Sequence, residues 1–346
     1  MYHPAGIATP PQITLALTRR TGLRKNLDGK RRYNCRAMDR RLFLTAAGAI
    51  GLTNCGESPK PAVPPAAPPP TAIIDAHHHF WMYTKKDYGW ISDKMTAIQR
   101  DFLPVHLAAT LKEAGVNGAV SVQARQTLDE TRFLLKHANE NEFLRGVVGW
   151  VPLAEAGVAK SMEEFAAQAK LKGMRHVVHD EPDPNYILRE DFNRGVAQLK
   201  AFKLRYDILI FEKHLPQTIK FVDRHPDQSF ILDHIAKPKI KAHLIEPWKQ
   251  NLIELAKRPN VYCKLSGMVT EADHEKWTAA DLQPYIDTVL AAFGPKRLMY
   301  GSDWPVCLLA SPYQRWFDTL SAAISKLSAE ERTRILGGTA IEAYGL

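Results

Sequence analysis

The stretch AIIDAHHHF at residues 72–80 is the first of eight short apolar or β-branched runs in this sequence. The other seven are GAVSVQA (118–124), LRGVVGWVPL (144–153), GMRHVVHD (173–180), YDILIF (206–211), FILDH (230–234), VYCKLSG (261–267) and RLMYGSD (297–303). Longer amphipathic stretches between them predict helices, including 104–114, 128–140, 161–171, 215–224, 248–256 and 282–293. This alternation predicts parallel βαβ units, and eight such units close a (β/α)8 TIM-like barrel of a single domain. The alternative is an open doubly wound sheet, but the first run is not followed by a glycine-rich fingerprint.

A barrel of this kind builds its active site at the carboxyl ends of its strands. Polar residues collect at the ends of the eight runs: His77, His79, Gln123, His179, Asp180, Asp233, His234, Lys264, Ser266 and Asp303. Successive side chains of a strand point to opposite faces, so we expect Asp75, His77 and His79 to share one face and His78 to lie on the other. Two imidazoles in this spacing suit one divalent ion, zinc above all, with a position left open for water.

Asp303 ends the eighth run, and in a closed barrel the eighth strand neighbours the first. We therefore expect Asp303 to act as a metal ligand and as the base that takes a proton from water. His234 ends the sixth run and is expected to bind the metal or to polarise the substrate carbonyl. Structural roles are the alternatives: a histidine-rich strand end without metal, a capping aspartate and a buried histidine.

Seven further residues lie at or just after the predicted strands and are candidates for substrate binding: His179, Lys237, Lys264, Trp81, Trp304, Gln123 and His214. For the lysines and His214, the alternative is a solvated or structural side chain. For the tryptophans, the alternative is packing, which is the usual role of large aromatic residues.

The formal net charge of +9 lies almost entirely in residues 1–60, which hold 11 Lys or Arg against three acidic residues. The rest of the chain is nearly neutral, so the sequence shows no electrostatic footprint for nucleic acid outside this leader. Residues 38–55 resemble a twin-arginine export signal, with Arg40 and Arg41 ahead of an apolar run at 42–52. That run is shorter than the roughly 20 residues that a membrane-spanning helix needs.

The sequence up to residue 71 predicts three segments that lie outside the barrel. Residues 1–37 have no apolar core and predict an unstructured leader, with Met38 as the alternative start. Residues 52–55 (LTNC) resemble a lipoprotein cleavage box ending at Cys55, and residues 56–71 form a Pro/Ala-rich linker. We therefore predict an exported, periplasmic protein whose only membrane contact is through an N-terminal lipid anchor, with the barrel at 72–346. Cys263 and Cys307 fit no disulfide framework.

Several motifs together resemble the amidohydrolase superfamily, and more narrowly the amidohydrolase-2 branch with its L-fuconolactonase- and L-rhamnonolactonase-type sugar lactone hydrolases. They are IDAHHHFW (74–81), RHV (175–177), DEPD (180–183), LDHIAKP (232–238), KLSG (264–267) and YGSDWPV (300–306). The resemblance implies a distorted barrel in which His77 and His79 are the strand-one pair, His234 the strand-six histidine and Asp303 the strand-eight aspartate. Strand four offers no carbamylated lysine or bridging glutamate, and strand five has no histidine of its own, so the resemblance leaves the third ligand open.

The sequence as a whole predicts an enzyme that acts on a small molecule. As the resemblance implies, we expect it to hydrolyse a carbohydrate-derived lactone with an activated water: Asp303 accepts the proton and passes it to the leaving hydroxyl, and the metal or His234 stabilises the oxyanion. Two alternatives remain. One is a decarboxylase of the same barrel superfamily acting on an aromatic or unsaturated acid, and the other is a non-catalytic surface lipoprotein that serves as a binding module.

Overall fold

The computed structural model describes residues 72–346, and the predicted barrel is confirmed. Eight parallel strands follow one another around a single sheet in chain order. They are β1 (Ile74–His78), β2 (Gly118–Val122), β3 (Leu144–Gly149), β4 (Leu171–Val177), β5 (Arg205–Leu209), β6 (Phe230–Leu232), β7 (Val261–Leu265) and β8 (Leu298–Tyr300). Each lies within or beside one of the apolar runs, because a strand covered on both faces needs apolar side chains throughout.

The helices of the barrel follow the strands. They are α1 (Pro104–Ala114), α2 (Leu128–Glu140), α3 (Val158–Phe165), α4 (Glu190–Val196), α5 (Leu215–Asp223), α6 (Trp248–Ala256), α7 (Ala279–Phe293), α8 (Tyr313–Ala323), α9 (Ala329–Thr333) and α10 (Thr339–Tyr344). The bounds of α1, α2 and α6 are those predicted. Pro104 opens α1, and Gly115 ends it in the left-handed conformation at φ 69°. The helix predicted at 161–171 is wrong in its bounds, because Leu171 instead opens β4 and pairs with Val147 of β3.

Apolar side chains form two separate layers. The larger one lies between the sheet and the helices, and the smaller one fills the inside of the barrel. Val120, Val148, Ile231 and Met299 meet in the inner layer, together with Tyr344 of α10. Helix α10 covers the amino ends of the strands, where the Arg205 side chain of β5 donates to the Ala343 carbonyl. The opposite end of the barrel, at the carboxyl ends of the strands, is where the polar residues collect.

The seam between β1 and β8 closes the barrel without a regular ladder. Two backbone hydrogen bonds cross it, from the His79 amide to the Trp304 carbonyl at 2.7 Å and from the Asp303 amide to the His77 carbonyl at 2.8 Å. Asp75 adds to them, because its carboxylate accepts from the Ser302 amide at 2.8 Å. The seam thus brings the two histidines of β1 next to Asp303.

A bulge in β1 corrects one expectation about this seam. The register of β1 against β2 shifts between Asp75 and His78. Asp75 therefore points outward, where the Tyr313 hydroxyl of α8 donates to it at 3.1 Å, and it does not share a face with His77 and His79. His78 does point away from that pair, as predicted, and lies 3.1 Å from the Ser121 hydroxyl.

The predicted leader (1–37), export signal (38–55) and linker (56–71) lie outside the described residues. Within residues 72–346, none of the helices has the length and apolar character needed to cross a membrane.

Candidate active site

A cavity of about 260 Å³ opens at the carboxyl ends of the strands. The polar side chains that line it include His79, Arg175, His179, His234, Lys237 and Asp303, with Trp90 among the apolar ones. The volume lies just under the roughly 300–1,000 Å³ range that is typical of small-molecule sites. The cavity therefore has room for a ligand of about one sugar ring.

At the floor of the cavity, three ligand atoms converge from the two sides of the seam. His77 Nε2 lies 3.3 Å from His79 Nε2, and Asp303 Oδ1 lies 3.4 Å from His79 Nε2 and 3.8 Å from His77 Nε2. A tetrahedral ion with bonds of about 2.1 Å separates its ligand atoms by about 3.4 Å. The three residues thus fit a single divalent ion in their present positions.

The tautomer of His79 supports this fit. Its Nδ1 lies 2.7 Å from the Val122 carbonyl, which can only accept, so Nδ1 carries a proton. In the neutral ring, the lone pair is then on Nε2 and faces Nε2 of His77. A carbonyl partner of this kind is what orients metal-binding histidines in general.

Asp303 is held as a carboxylate. Burial alone would raise the pKa of its carboxyl, but the neighbouring His234, His79 and His77 together lower that pKa below the ordinary value. The residue has a φ of +58°, an uncommon backbone conformation for an aspartate, and its amide is fixed by the His77 carbonyl. The backbone therefore aims Asp303 at the two histidines.

His234 lies on the far side of the same floor, in an unusual turn. Four consecutive non-glycine residues, 234–237, have φ values between +48° and +63°. Such a turn costs about 1–2 kcal/mol per residue, so its persistence needs strong support from its surroundings. Nδ1 of His234 lies 2.9 Å from the Ser266 hydroxyl, and burial lowers the pKa of His234 to about 4. A neutral ring can offer an Nε2 proton to the cavity.

Gly267 makes room for that ring. It has a φ of +61°, and a Cβ atom on it would lie 2.4 Å from His234 Nδ1. The position thus needs glycine both for its backbone conformation and for the close approach of the imidazole.

Charged side chains of the strands fill the space beneath the floor. Lys264 of β7 lies 2.6 Å from Asp207 and 2.9 Å from Asp233, and Arg175 of β4 donates to Asp233 at 3.0 Å. Burial raises the pKa of Asp207 to about 6 despite Lys264, whereas Lys264, His77 and Arg175 overcome burial and hold the pKa of Asp233 well below its ordinary value. Asp233 is therefore an anion in the folded protein.

His77 connects this network to the floor. Its Nδ1 lies 3.3 Å from Asp233 Oδ1 and 3.2 Å from the Lys264 ammonium, and its Nε2 lies 3.3 Å from the Arg175 guanidinium. Burial lowers the pKa of His77 well below its ordinary value. His77, Asp233 and His234 form a second group whose ligand atoms lie within 4.8 Å of one another.

The mouth of the cavity is lined by two more of the predicted residues. His179 stacks on Phe211 with a centroid distance of 4.5 Å, and burial, followed by the charge of Lys237, lowers the pKa of His179 to about 3. Lys237 itself is paired with Glu271 at 3.1 Å. Both side chains can still offer hydrogen bonds to a ligand in the cavity.

Five of the predicted substrate-binding residues are not brought to the cavity. Lys264 is fully buried in the ion pairs below the floor. The side-chain amide of Gln123 donates to the Arg175 carbonyl at 3.2 Å, and Nδ1 of His214 lies 3.3 Å from the amide of Phe211, at the start of its own helical turn. Trp81 and Trp304 are buried and pack around Phe102. None of the five is among the residues that line the cavity.

Sequence reasoning missed Arg175 and Asp207 beneath the floor and Trp90 at the mouth, and it placed Asp233 at a strand end without predicting its pairing with Lys264 and Arg175. A usable signal existed for both strand residues, since Asp207 is the only charged residue of YDILIF (206–211) and Arg175 is the only Lys or Arg of GMRHVVHD (173–180). A lone charge in a strand buried on both faces needs a buried partner. Trp90 lies in a loop and had no such signal.

Several known proteins are similar to this chain. The family described as Amidohydrolase matches residues 74–346. An L-fucono-1,5-lactonase of Burkholderia multivorans is 41% identical over 290 residues, covering 79% of this chain and 96% of the relative. An L-fucono-1,5-lactonase of Burkholderia ambifaria is 36% identical over 275 residues, covering 78% and 94%. The crystal structure of an amidohydrolase from Burkholderia multivorans with bound zinc superposes with a TM-score of 0.77 at 41% identity, over 80% of this chain and 99% of that one.

Proposed function

This chain belongs to the amidohydrolase family, and we propose that it opens the ring ester of a sugar-derived lactone, an aldonolactone of the L-fucono-1,5-lactone type. The two Burkholderia relatives named for that activity support the substrate class. A cavity of about 260 Å³ with a polar lining suits a substrate that consists of one hydroxylated ring.

One observation carries the proposal: His77, His79 and Asp303 meet at the cavity floor with separations of 3.3 to 3.8 Å. These three side chains would hold one divalent ion, and zinc suits their imidazole and carboxylate donors. When bound there, such an ion lowers the pKa of a coordinated water to about 7 and polarises a carbonyl oxygen. The resemblance to a zinc-containing amidohydrolase supports this choice.

Asp303 is the proposed general base. Its carboxylate takes a proton from the water whose oxygen adds to the lactone carbonyl carbon. The bond between that carbon and the ring oxygen then breaks, and Asp303 returns the proton to the departing ring oxygen. The product is an open-chain hydroxy acid, which releases one proton to the solution at neutral pH.

His234 is the proposed donor to the carbonyl oxygen. A neutral imidazole with Nδ1 turned to Ser266 can present an Nε2 proton to the charge that develops on that oxygen. Donors fixed in a buried site contribute strongly to this kind of reaction, because they need no reorganisation as the charge forms. His179 and Lys237, which line the cavity, are the proposed partners of the hydroxyl groups of the ring.

The test is a lactone panel assayed by proton release with the full chain. We expect turnover of one or more aldonolactones, and Asp303→Asn is expected to lower kcat by about 10²–10⁴-fold. Asp318→Asn serves as the matched control, since Asp318 lies on the exposed face of helix α8, where it accepts from the Gln314 side-chain amide. Unchanged turnover in both Asp303→Asn and His79→Ala would overturn the mechanism. Carbon dioxide release without lactone turnover would favour the decarboxylase, and tight ligand binding without turnover would favour the binding module.

A further inference from the structure

We propose that Tyr344 of α10 is a positioning residue that, through Asp207 and Lys264, keeps the His77 ring in the tautomer with its lone pair facing the cavity floor. The inference deepens the proposed function and rests on it where catalysis is concerned. It concerns a side chain that enters the barrel from the end opposite the active site.

Tyr344 reaches the charged network from below. Its hydroxyl donates to Asp207 Oδ2 at 2.6 Å, and the Lys264 ammonium lies 5.5 Å from the centre of its ring. All three side chains are buried. The other carboxylate oxygen of Asp207 has no hydrogen-bond partner among the described residues. The orientation of the Asp207 carboxylate therefore depends on the two donors at Oδ2, which are Tyr344 and Lys264.

Lys264 in turn lies beside His77 Nδ1, the atom whose protonation sets the tautomer of the ring. Its ammonium lies 2.6 Å from Asp207 Oδ2 and 3.2 Å from His77 Nδ1. His77 Nδ1 also lies 3.3 Å from Asp233 Oδ1. The imidazole can either donate from Nδ1 to Asp233 or accept at Nδ1 from Lys264, and it cannot do both.

The choice between these two states decides what faces the cavity floor. A proton on Nδ1 leaves the lone pair on Nε2, which can accept from Arg175 at 3.3 Å in the metal-free protein or serve as a ligand to a metal ion. A proton on Nε2 would instead point at the floor and occupy the ligand position. Arg175 can only donate, so its contact with Nε2 favours the first state, and the 2.6 Å contact of Lys264 with Asp207 directs the ammonium mainly at that carboxylate.

Removal of the Tyr344 hydroxyl is expected to loosen this arrangement. Tyr344→Phe keeps the ring beneath Lys264 and removes only the donor to Asp207. The carboxylate of Asp207 is then free to turn, and Lys264, which also lies 2.9 Å from Asp233, can move toward Asp233 and His77 Nδ1. Tyr206→Phe is the matched control, since Tyr206 is equally buried and its hydroxyl makes no hydrogen bond with the described residues.

The experiment measures the ring nitrogens of His77 by ¹⁵N NMR in histidine-labelled, metal-free full chain, with His77→Gln for assignment. We expect a single Nδ1-protonated tautomer in the wild type and in Tyr206→Phe, and a mixture in Tyr344→Phe. Titration with zinc against a chromophoric chelator is expected to show about tenfold weaker binding in Tyr344→Phe, at the lower end of the effect of partners that orient metal ligands. In the lactone assay, kcat is expected to fall with KM unchanged.

Wild-type ring shifts and zinc affinity in Tyr344→Phe would overturn the proposal, as would equal changes in Tyr206→Phe. The NMR measurement needs neither metal nor substrate. If the wild type hydrolyses no lactone, the proposed function fails while the ring shifts still decide whether Tyr344 positions His77. If the wild type binds no zinc, the same shifts decide alone.

Discussion

Gly267→Ala is expected to impair the site without altering any polar group in it. The added methyl group would lie 2.4 Å from Nδ1 and 2.7 Å from Cγ of the His234 ring. Carbon contacts are most favourable at about 3.5–4.0 Å, so the ring has to retreat by roughly 1 Å. His234 cannot easily follow by a backbone shift, because it begins the left-handed turn of residues 234–237.

The expected magnitudes follow from these distances. A left-handed alanine costs about 1–2 kcal/mol relative to glycine, and relief of an overpacked contact costs about 1–3 kcal/mol. The free energy of unfolding should therefore fall by about 2–5 kcal/mol. A displacement of about 1 Å in a catalytic group lowers kcat by about 10²-fold.

Gly115→Ala separates the two effects. Gly115 has a φ of +69° at the end of α1, and a Cβ atom there would meet no atom within 4 Å. Its free energy of unfolding should fall only by the cost of the strained backbone, and its activity should equal that of the wild type. Urea unfolding and the lactone assay on both variants measure the two quantities. If Gly267→Ala keeps kcat within twofold of the wild type, or if Gly115→Ala loses as much activity, the role assigned to the His234 position is wrong.

Three further predictions concern the interior, His78 and the export signal. Lys264→Met is expected to lower the free energy of unfolding by about 3–5 kcal/mol, since it leaves Asp207 and Asp233 buried without their shared cation; urea unfolding that matches the wild type would contradict it. His78→Ala should cost about 2–4 kcal/mol by leaving a cavity but keep kcat and zinc affinity, because this ring faces out of the barrel; loss of zinc binding would refute that orientation. Lysine at both positions of the twin-arginine pair (residues 40–41) should retain the protein in the cytoplasm, and cell fractionation with N-terminal sequencing checks this.

The barrel could be predicted from sequence because its strands are buried on both faces. Apolar runs such as YDILIF (206–211), set between amphipathic helices, are typical of strands in a covered parallel sheet, and their ends mark the active-site face. The approach of Asp303 to His77 and His79 followed from the adjacency of the first and last strands. Local pattern and topology were sufficient for these features.

The orientation of Asp75 could not be predicted, because the bulge in β1 depends on partners distant in sequence. Ser302 and Tyr313 stabilise an outward Asp75 with hydrogen bonds, and strand alternation carries no trace of them. The buried ion pairs of Lys264, which the sequence analysis treated as a candidate for substrate binding, could not be predicted for a similar reason. Its lone charge in an apolar strand was visible in the sequence, but its pairing with Asp207 is a contact across the barrel.

Because the proposed metal site lies on the seam between β1 and β8, a bound ion would also stabilise the barrel. Two backbone hydrogen bonds join the first strand to the last, and the ligand atoms stand on both sides of that join, with His77 and His79 on one and Asp303 on the other. An ion held by all three would cross-link β1 and β8 at the seam, where the barrel has no regular ladder. The free energy of ion binding would then add to the free energy of unfolding. A chelator that withdraws the ion would therefore destabilise the barrel at the same seam that holds the proposed active site.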